Sequence, residues 1–406
     1  MKQTADQLTV RKINTVIVLE TLRKLAPISR AKLAKATGLN RSTISSIIQS
    51  LADIKFVRET ELQLDQIGRP GMLLTLNPEG GFTIGLEINV DYVSAILADF
   101  NGQLRRKLYR SVNTKMPQHE ILMTAVRMAT TLVELGQEQK LPFMGMGIGL
   151  PGVTDSIAGK LVFAPNLGWR NLDIGQLFFK EFNVPILVEN EANCAALGEY
   201  RYGAAKDVRN LIYLSAGVGL GGGILIDGEI FHGSQGFAGE IGHMMIERDG
   251  FLCACGKRGC WETYVSPNVV IENVRKSLEQ GVVSSLTPLL QRSQYALTFR
   301  QILDAAEQGD GLALAALTQL GQDLASGLGN LVNIFNPAMI VIGGALTQAG
   351  HLLIPAIQKQ LSGQVLAAEH TLVQLLPSQL GVDACVHGAV ALVLDAVMRD
   401  PTNWLT

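Results

Sequence analysis

The chain has 406 residues, 47% of them hydrophobic and 17% charged, a composition that excludes a disordered or fibrous protein and a length that predicts two or three domains. Its net charge of −2 hides an asymmetry: residues 1–80 hold twelve Lys/Arg against seven Asp/Glu, a balance of +5, and the remainder carries −7. A basic head on an acidic body fits a polyanion met by the head alone, or a chance fluctuation, while the lack of an unbroken apolar run of about eighteen residues or a leader-like N-terminus points to a cytoplasmic protein without a membrane span.

Val10, Ile13 and Ile17 mark the apolar face of a first helix, widened by Val18, Leu22 and Leu25 and stopped at Pro27. Ser29 is placed to cap a second helix running through Thr37, and Gly38 turns the chain out of it. Asn40 caps a third helix whose buried face reads Ile44, Ile47, Ile48 and Leu51. Its other face begins Arg41, Ser42, Thr43 and continues Ser45, Ser46, with no acidic residue before Asp53. Short hydroxyls and one Arg at a helix N-terminus suit entry into a DNA groove, whereas a solvated surface helix mixes in Glu and Lys. Two strand-like runs follow, 56–61 and 72–76, joined by a loop ending Gly68-Arg69-Pro70-Gly71. This predicts a winged helix-turn-helix over residues 1–78, with Arg69 as a minor-groove probe; a three-helix scaffold without a DNA role is the alternative.

From residue 81 the texture changes to strands, tight turns and helices. Residues 82–88, 92–99 and 103–109 read as strands, the last two joined at Asn101-Gly102, before a helix near 120–135 and a buried strand at 143–150. A second start appears at 211–215, 221–226 and 229–231, with its turn at Asp227-Gly228. Two related α/β halves are expected, 81–198 and 199–385, with a helix near 386–400 returning to the first and a ligand cleft between them.

Between these strands and the C-terminus, His243, Cys253, Cys255 and Cys260 supply one imidazole and three thiols, a full tetrahedral set for structural zinc with no open position. Gly256 and Gly259 let the loop fold back, and a redox Cys-x-Cys pair is the weaker alternative. Cys194 and Cys385 read as ordinary buried thiols.

Three motifs now combine: Val188-Glu189-Asn190-Glu191-Ala192-Asn193, Gly239-Glu240-Ile241-Gly242-His243, and the Cys-x-Cys-Gly-x-x-Gly-Cys-x-Glu run ending at Glu262. They resemble the ROK family, which groups bacterial sugar kinases with sugar-responsive repressors on an actin/hexokinase-like α/β fold. The N-terminal helix-turn-helix is similar to the family's repressor branch. Pro27-Ile28-Ser29-Arg30-Ala31-Lys32-Leu33, Thr37-Gly38-Leu39-Asn40 and Pro165-Asn166-Leu167-Gly168-Trp169-Arg170 look most like its xylose-repressor subgroup.

The resemblance implies a sugar site of Asn190 and Glu191 on one edge of the ring, Glu240, His243 and Glu262 on the other, and Asn166 as a further contact. Carboxylates and amides are the groups that read hydroxyls, though Glu191 or Glu262 alone also reads as a surface salt bridge. His243 then has one nitrogen for zinc and one for sugar. The kinases open with Asp-x-Gly-Gly-Thr, where this chain has Glu87-Ile88-Asn89-Val90-Asp91, obstructing a phosphate and repelling it. In the second phosphate loop Val218 stands where the kinases have Thr, and Glu191 stands at their Asp base. The expectation is a non-enzymatic repressor that binds operator DNA as a homodimer or homotetramer and answers to xylose or another aldose. A kinase with a regulatory head and a repressor controlled by a protein partner are the alternatives.

Overall fold

The structure, a computed structural model, describes residues 7–60, 72–217, 219–292, 297–366 and 373–401. The head opens with α1 (Gln7–Leu25), β1 (Ile28–Ser29), α2 (Arg30–Thr37) and α3 (Arg41–Asp53), and closes with β2 (Val57–Thr60) and β3 (Leu73–Leu76). Local chemistry sets these boundaries. The Ser29 hydroxyl accepts the Lys32 N–H at 3.3 Å, Gly38 takes φ 71°, and the Asn40 carbonyl oxygen accepts the Thr43 N–H at 2.7 Å. β1, β3 and β2 form a three-stranded antiparallel sheet in that order, which makes the head a winged helix-turn-helix. The wing loop with Arg69 lies outside the described residues.

One expectation for α1 is corrected. Val18, Leu19 and Leu22 enter the core, but Val10, Ile13 and Ile17 remain 45%, 52% and 37% exposed. At 100° per residue the two sets occupy different sides of the helix, and only the second faces α2 and α3. At the base of the head the Phe56 ring lies 4.3 Å from that of Phe100, both fully buried, and the Asn77 amide donates to the Lys55 carbonyl at 2.8 Å.

The body begins with β4 (Phe82–Ile88), β5 (Tyr92–Asp99), β6 (Leu104–Ser111), α4 (Gln118–Glu138) and β7 (Phe143–Leu150). A small antiparallel sheet follows, β8 (Val153–Asp155), β9 (Lys160–Ala164) and β10 (Trp169–Leu172), then α5 (Ile174–Phe182), β11 (Ile186–Asn190) and α6 (Glu191–Tyr202). The second start is β12 (Leu211–Ala216), β13 (Leu220–Ile226) and β14 (Glu229–Ile230). Helices α7 (Glu262–Val265), α8 (Pro267–Glu279), α9 (Thr287–Arg292), α10 (Phe299–Glu307) and α11 (Gly311–Phe335) precede β15 (Met339–Gly344), α12 (Gly350–Leu361), β16 (Gln374–Pro377) and α13 (Ala384–Arg399).

The two large sheets have one topology. The first runs β6-β5-β4-β7-β11 and the second β14-β13-β12-β15-β16, each an antiparallel meander extended on the side of its first strand. Ile84 pairs with Leu97 on one side and Met146 on the other, and Ile212 likewise with Ile224 and Ile340. The strands β4 and β12 are mostly apolar and, except for Ser215, buried along their length, as central strands covered by helices must be. The internal repeat read from the sequence is therefore present as a repeated sheet, and the hairpin residues Asp227 (φ 55°) and Gly228 (φ 82°) adopt the left-handed pair a tight two-residue turn requires.

Contacts gather residues 1–149, 173–188 and 389–406 into one unit and residues 150–172 and 189–388 into another. α6 packs on β12 and β13, which is why 189–198 join the second sheet. The stretch Gly381–Arg399, ending in α13, is long and apolar enough to cross a membrane by length and composition, but it is mostly buried in the protein. The Phe56→Ala variant should lose about 3–5 kcal/mol of stability, read as a lower urea midpoint, because the Phe100 ring collapses poorly into the space left.

Candidate functional site

All the residues that the sequence assigned to sugar and metal fall within the second unit, at the ends of a few elements. β11 ends at Asn190, and the Asn190 carbonyl oxygen caps α6 by accepting the Ala192 and Asn193 N–H groups at 2.8 and 3.2 Å. Its amide donates one hydrogen to the Gly152 carbonyl at 2.9 Å, leaving the second for a ligand. Glu191 is the first residue of α6 and is half-buried.

Behind Asn190 stands a group that the sequence reading missed. The buried carboxylate of Glu189 accepts the Asn190 N–H at 2.8 Å and the Asn193 amide at 3.0 Å, and its other oxygen lies 2.6 Å from His232 Nε2. The hydrogen bond to Glu189 raises the His232 pKa, against the lowering effect of its partial burial. Glu189 and His232 are 43 residues apart, so no local pattern pairs them.

The glycines after β12 have a packing role. A Cβ on Gly223 would stand 2.2 Å from the Ala192 carbonyl, so glycine lets β13 lie directly against the first turn of α6. A Cβ on Gly219 would stand 3.0 Å from Glu262 Oε2 and 3.8 Å from the Asn166 amide, which places both side chains around the same backbone. Val218 lies outside the described residues. Asn166 itself is exposed in the loop joining β9 to β10.

His243 connects this polar edge to the thiols. Its Nδ1 lies 3.7 Å from Cys253 Sγ and 3.6 Å from Glu262 Oε1, and its Nε2 faces Glu240 Oε2 at 4.0 Å. The Cys255 and Cys260 sulfurs are 3.7 Å apart, and all four donor atoms lie within 4.8 Å of one another. Edges of about 3.7 Å belong to a tetrahedron built on metal–sulfur bonds of about 2.3 Å, so the cluster fits a metal ion. The loop reaches this shape by folding back: the Cys253 N–H bonds the Lys257 carbonyl at 2.8 Å, and Gly259 (φ 73°) sits where a Cβ would be 1.6 Å from the Glu247 carbonyl. Trp261, fully buried, anchors it through a 2.9 Å bond from its indole N–H to the Asp323 carbonyl.

The electrostatics are those of an acidic recess. Burial raises the Glu240 pKa; nearby His243 opposes the rise and Glu262 adds to it. Burial also pushes the Cys253 thiol up, helped by its 2.8 Å hydrogen bond to Glu262.

On the head, Arg41, Ser42, Ser45 and Ser46 are exposed on α3 and Thr43 is half-buried, so the predicted DNA face is open to solvent. The Ser42 hydroxyl donates to the Asn40 side chain at 2.8 Å. In the first unit, the Glu87 carboxylate accepts the Tyr92 hydroxyl at 2.7 Å and the Asn89 amide at 2.8 Å, closing the turn between β4 and β5 with side chains.

Residues 83–396 match the ROK family. The chain is 34% identical to the xylose repressor of Bacillus subtilis over 96% of its own length and 97% of that protein's. It is 27% identical to the transcriptional dual regulator NagC of Escherichia coli, over 96% and 94% of the two chains. A ROK family transcriptional regulator, a homolog of the E. coli MLC protein, superposes with a TM-score of 0.83 at 28% identity, covering 96% and 97%. A ROK glucokinase from Streptomyces griseus, solved with glucose and AMPPNP, reaches 0.67 at 30% identity and covers 77% of this chain but 99% of its own. The repressors thus match head and body together, and the kinase matches a part of the chain about the size of the body.

His232 gives a pH-dependent test. Its folded pKa is raised, so its pairing with Glu189 stabilises the protein below the unfolded value of about 6.5 and that contribution is lost as pH rises through the folded value. The melting-temperature difference between wild type and His232→Gln should therefore be widest at mildly acidic pH and shrink in alkaline buffer, as followed by differential scanning fluorimetry.

Proposed function

The chain belongs to the ROK family, and on that premise we propose that it is a sugar-responsive transcriptional repressor of carbohydrate-utilisation genes. The observation that carries this reading is one chain holding both an open, hydroxyl-rich recognition helix and a polar recess of the kind that reads sugars. The relatives that match over the full chain are a named xylose repressor and NagC, and they support operator DNA and a sugar as the two ligands. Xylose is the first candidate for that sugar.

The protein acts in the cytoplasm, where its operator is, as a homodimer or homotetramer whose paired heads read a two-fold operator. Arg41, Ser42, Thr43, Ser45 and Ser46 enter the major groove, and Arg69, outside the described residues, is assigned to the minor groove. Asn166, Asn190, Glu191, Glu240, His243 and Glu262 hold the sugar. The carboxylates accept its hydroxyl protons, and the free Asn190 amide hydrogen donates to a ring or hydroxyl oxygen. Sugar binding lowers operator affinity; a hundredfold change needs about 2.7 kcal/mol of coupling, within the usual range.

Zinc would be held by His243 and the thiolates of Cys253, Cys255 and Cys260, and with all four positions filled by protein it would cross-link the loop and leave none open for catalysis. As a thiolate, Cys253 would have no proton to donate to Glu262. His243, fixed through Nδ1, presents Nε2 beside Glu240.

No phosphoryl transfer is expected. The turn after β4 is filled by the Asn89 and Tyr92 side chains on Glu87, and Asp91 adds a negative charge where the kinases of this family receive a triphosphate.

Two measurements test this reading. In calorimetry with zinc-loaded protein, xylose should give saturable heat, and Glu240→Ala should weaken binding by about ten- to a hundredfold through loss of charge-assisted hydrogen bonds; no heat with xylose, glucose or other simple aldoses overturns the sensor assignment. In elemental analysis, Cys255→Ser should fall from about one zinc per chain to almost none and lose sugar affinity with it.

A further inference from the structure

We infer that the cleft between α8 and α11, within the second unit, binds a small organic ammonium ion at a site apart from the His243 cluster. The sequence makes the cleft. Val270, Val274 and Ser277 of α8 recur at helical spacing, as do Leu312, Ala316, Leu320 and Asp323 of α11, so each helix turns one stripe toward the other. Ser277, Ala315 and Ala316 put small side chains where the stripes elsewhere carry Val or Leu. A cleft of about 180 Å³ is left between the helices.

Two ties fix how the helices run. The Trp261 indole N–H, just before α7, donates to the Asp323 carbonyl at 2.9 Å. Beyond the far end of α8, the Ser284 and Ser285 hydroxyls both donate to Asp310 at 2.9 Å, one residue before α11. α8 and α11 are therefore antiparallel, with Tyr264 and Asp323 at one end of the cleft and Ser277 and Leu312 at the other.

The end at Asp323 is the polar one. Its half-buried carboxylate accepts the Gln319 amide at 3.0 Å on Oδ1, and among the described residues no cation pairs with it. The nearest basic residues of α8 are already met: Arg275 bonds Glu272 and Glu279, and Lys276 lies 3.7 Å from Glu272. Burial raises the Asp323 pKa, and the Gln319 hydrogen bond opposes the rise. A carboxylate taken partly out of water is ordinarily met by a cation or by several donors, and this one has a single neutral donor.

That deficit specifies the ligand. Asp323 Oδ2 and the Gln319 carbonyl oxygen are acceptors, and an ammonium group is three donors with no acceptor. The Tyr264 hydroxyl, which accepts the Phe251 N–H at 3.3 Å, lies at the same end. Away from Asp323 the wall is Val270, Val274, Leu312 and Leu320, which suits one ring or a short chain. The volume is a little more than the roughly 150 Å³ that admits benzene. A sugar would set hydroxyls against that apolar wall, and an anion would meet the Asp323 charge. None of these lining residues belongs to the sugar or metal set proposed above.

The test titrates benzylamine and its uncharged counterpart, benzyl alcohol, into full-length, zinc-loaded protein at neutral pH by calorimetry. Wild type should bind benzylamine saturably, one per chain, about tenfold or more tighter than benzyl alcohol, because the hydrogen bonds to the amine are charge-assisted. Asp323→Asn keeps the shape and can keep the bond from Gln319 while removing the charge. It should lose about tenfold in benzylamine affinity and leave benzyl alcohol unchanged. Ala316→Leu fills the cleft and should abolish saturable binding of both probes. The added volume can cost folding, so its melting temperature is read alongside, and Asp323→Asn decides by itself if Ala316→Leu unfolds. The site is overturned by no saturable binding to wild type, by equal affinity for the two probes, or by Asp323→Asn binding benzylamine as wild type does. Binding that survives in folded Ala316→Leu overturns it as well.

Discussion

The imidazole of His243 is the point at which the cysteine loop and the carboxylates of Glu240 and Glu262 meet. Nδ1 faces the thiols and Nε2 faces Glu240, and a planar ring has no torsion between its two nitrogens. Whatever holds the first nitrogen therefore aims the second. The loop carrying the thiols ends at Trp261, whose buried indole is tied to α11, so the ring is referenced to the second sheet's own helices rather than to a free loop. Glu262, the next residue, shares Nδ1 and Cys253 as neighbours. The placing of these carboxylates thus depends on the His243 and cysteine cluster.

What was legible in the sequence was what short-range physics decides. Ser29, Gly38 and Asn40 mark their helix ends because a cap is made within three residues. The turn at Asp227-Gly228 is legible for the same reason. The four metal donors were readable because Cys and His have few other reasons to cluster. Contacts made over long separations were not readable. The Glu189–His232 pair spans 43 residues, and nothing around either residue announces the other. The apolar pattern of α1 suggested one face where the helix has several, because a 3.6-residue repeat gives the stripe but not the neighbour it meets. The glycines of β13 read as a phosphate loop, and in the structure Gly223 also lets α6 approach. One glycine can satisfy two explanations, and only the packing separates them.

The repeated sheet shows how little has to change to turn a fold of this family from one use to another. Both five-stranded sheets have the same order, and His243 lies beside the carboxylates of Glu240 and Glu262. In the turn after β4, Asn89 and Tyr92 both bond Glu87 from within the chain. Both bonds fall on Oε1 of that carboxylate, so one of its oxygens is turned toward the chain's own hairpin. One fold can host different functions, because function lies in the sites grafted on it.

The bond between Arg23 and Asp395 joins positions 372 residues apart. At ribosomal speeds of 5–20 residues per second, roughly 20–70 s pass between the emergence of the two partners. For that interval a nascent chain displays a head whose caps and core are complete in themselves, beside a body that still lacks its last helix. The same holds for any product cut short before α13. Such a fragment retains Arg41, Ser42 and their neighbours while missing the helix whose Asp395 bonds Arg23. The Arg23–Asp395 bond is therefore made only after every strand of both large sheets has been synthesised.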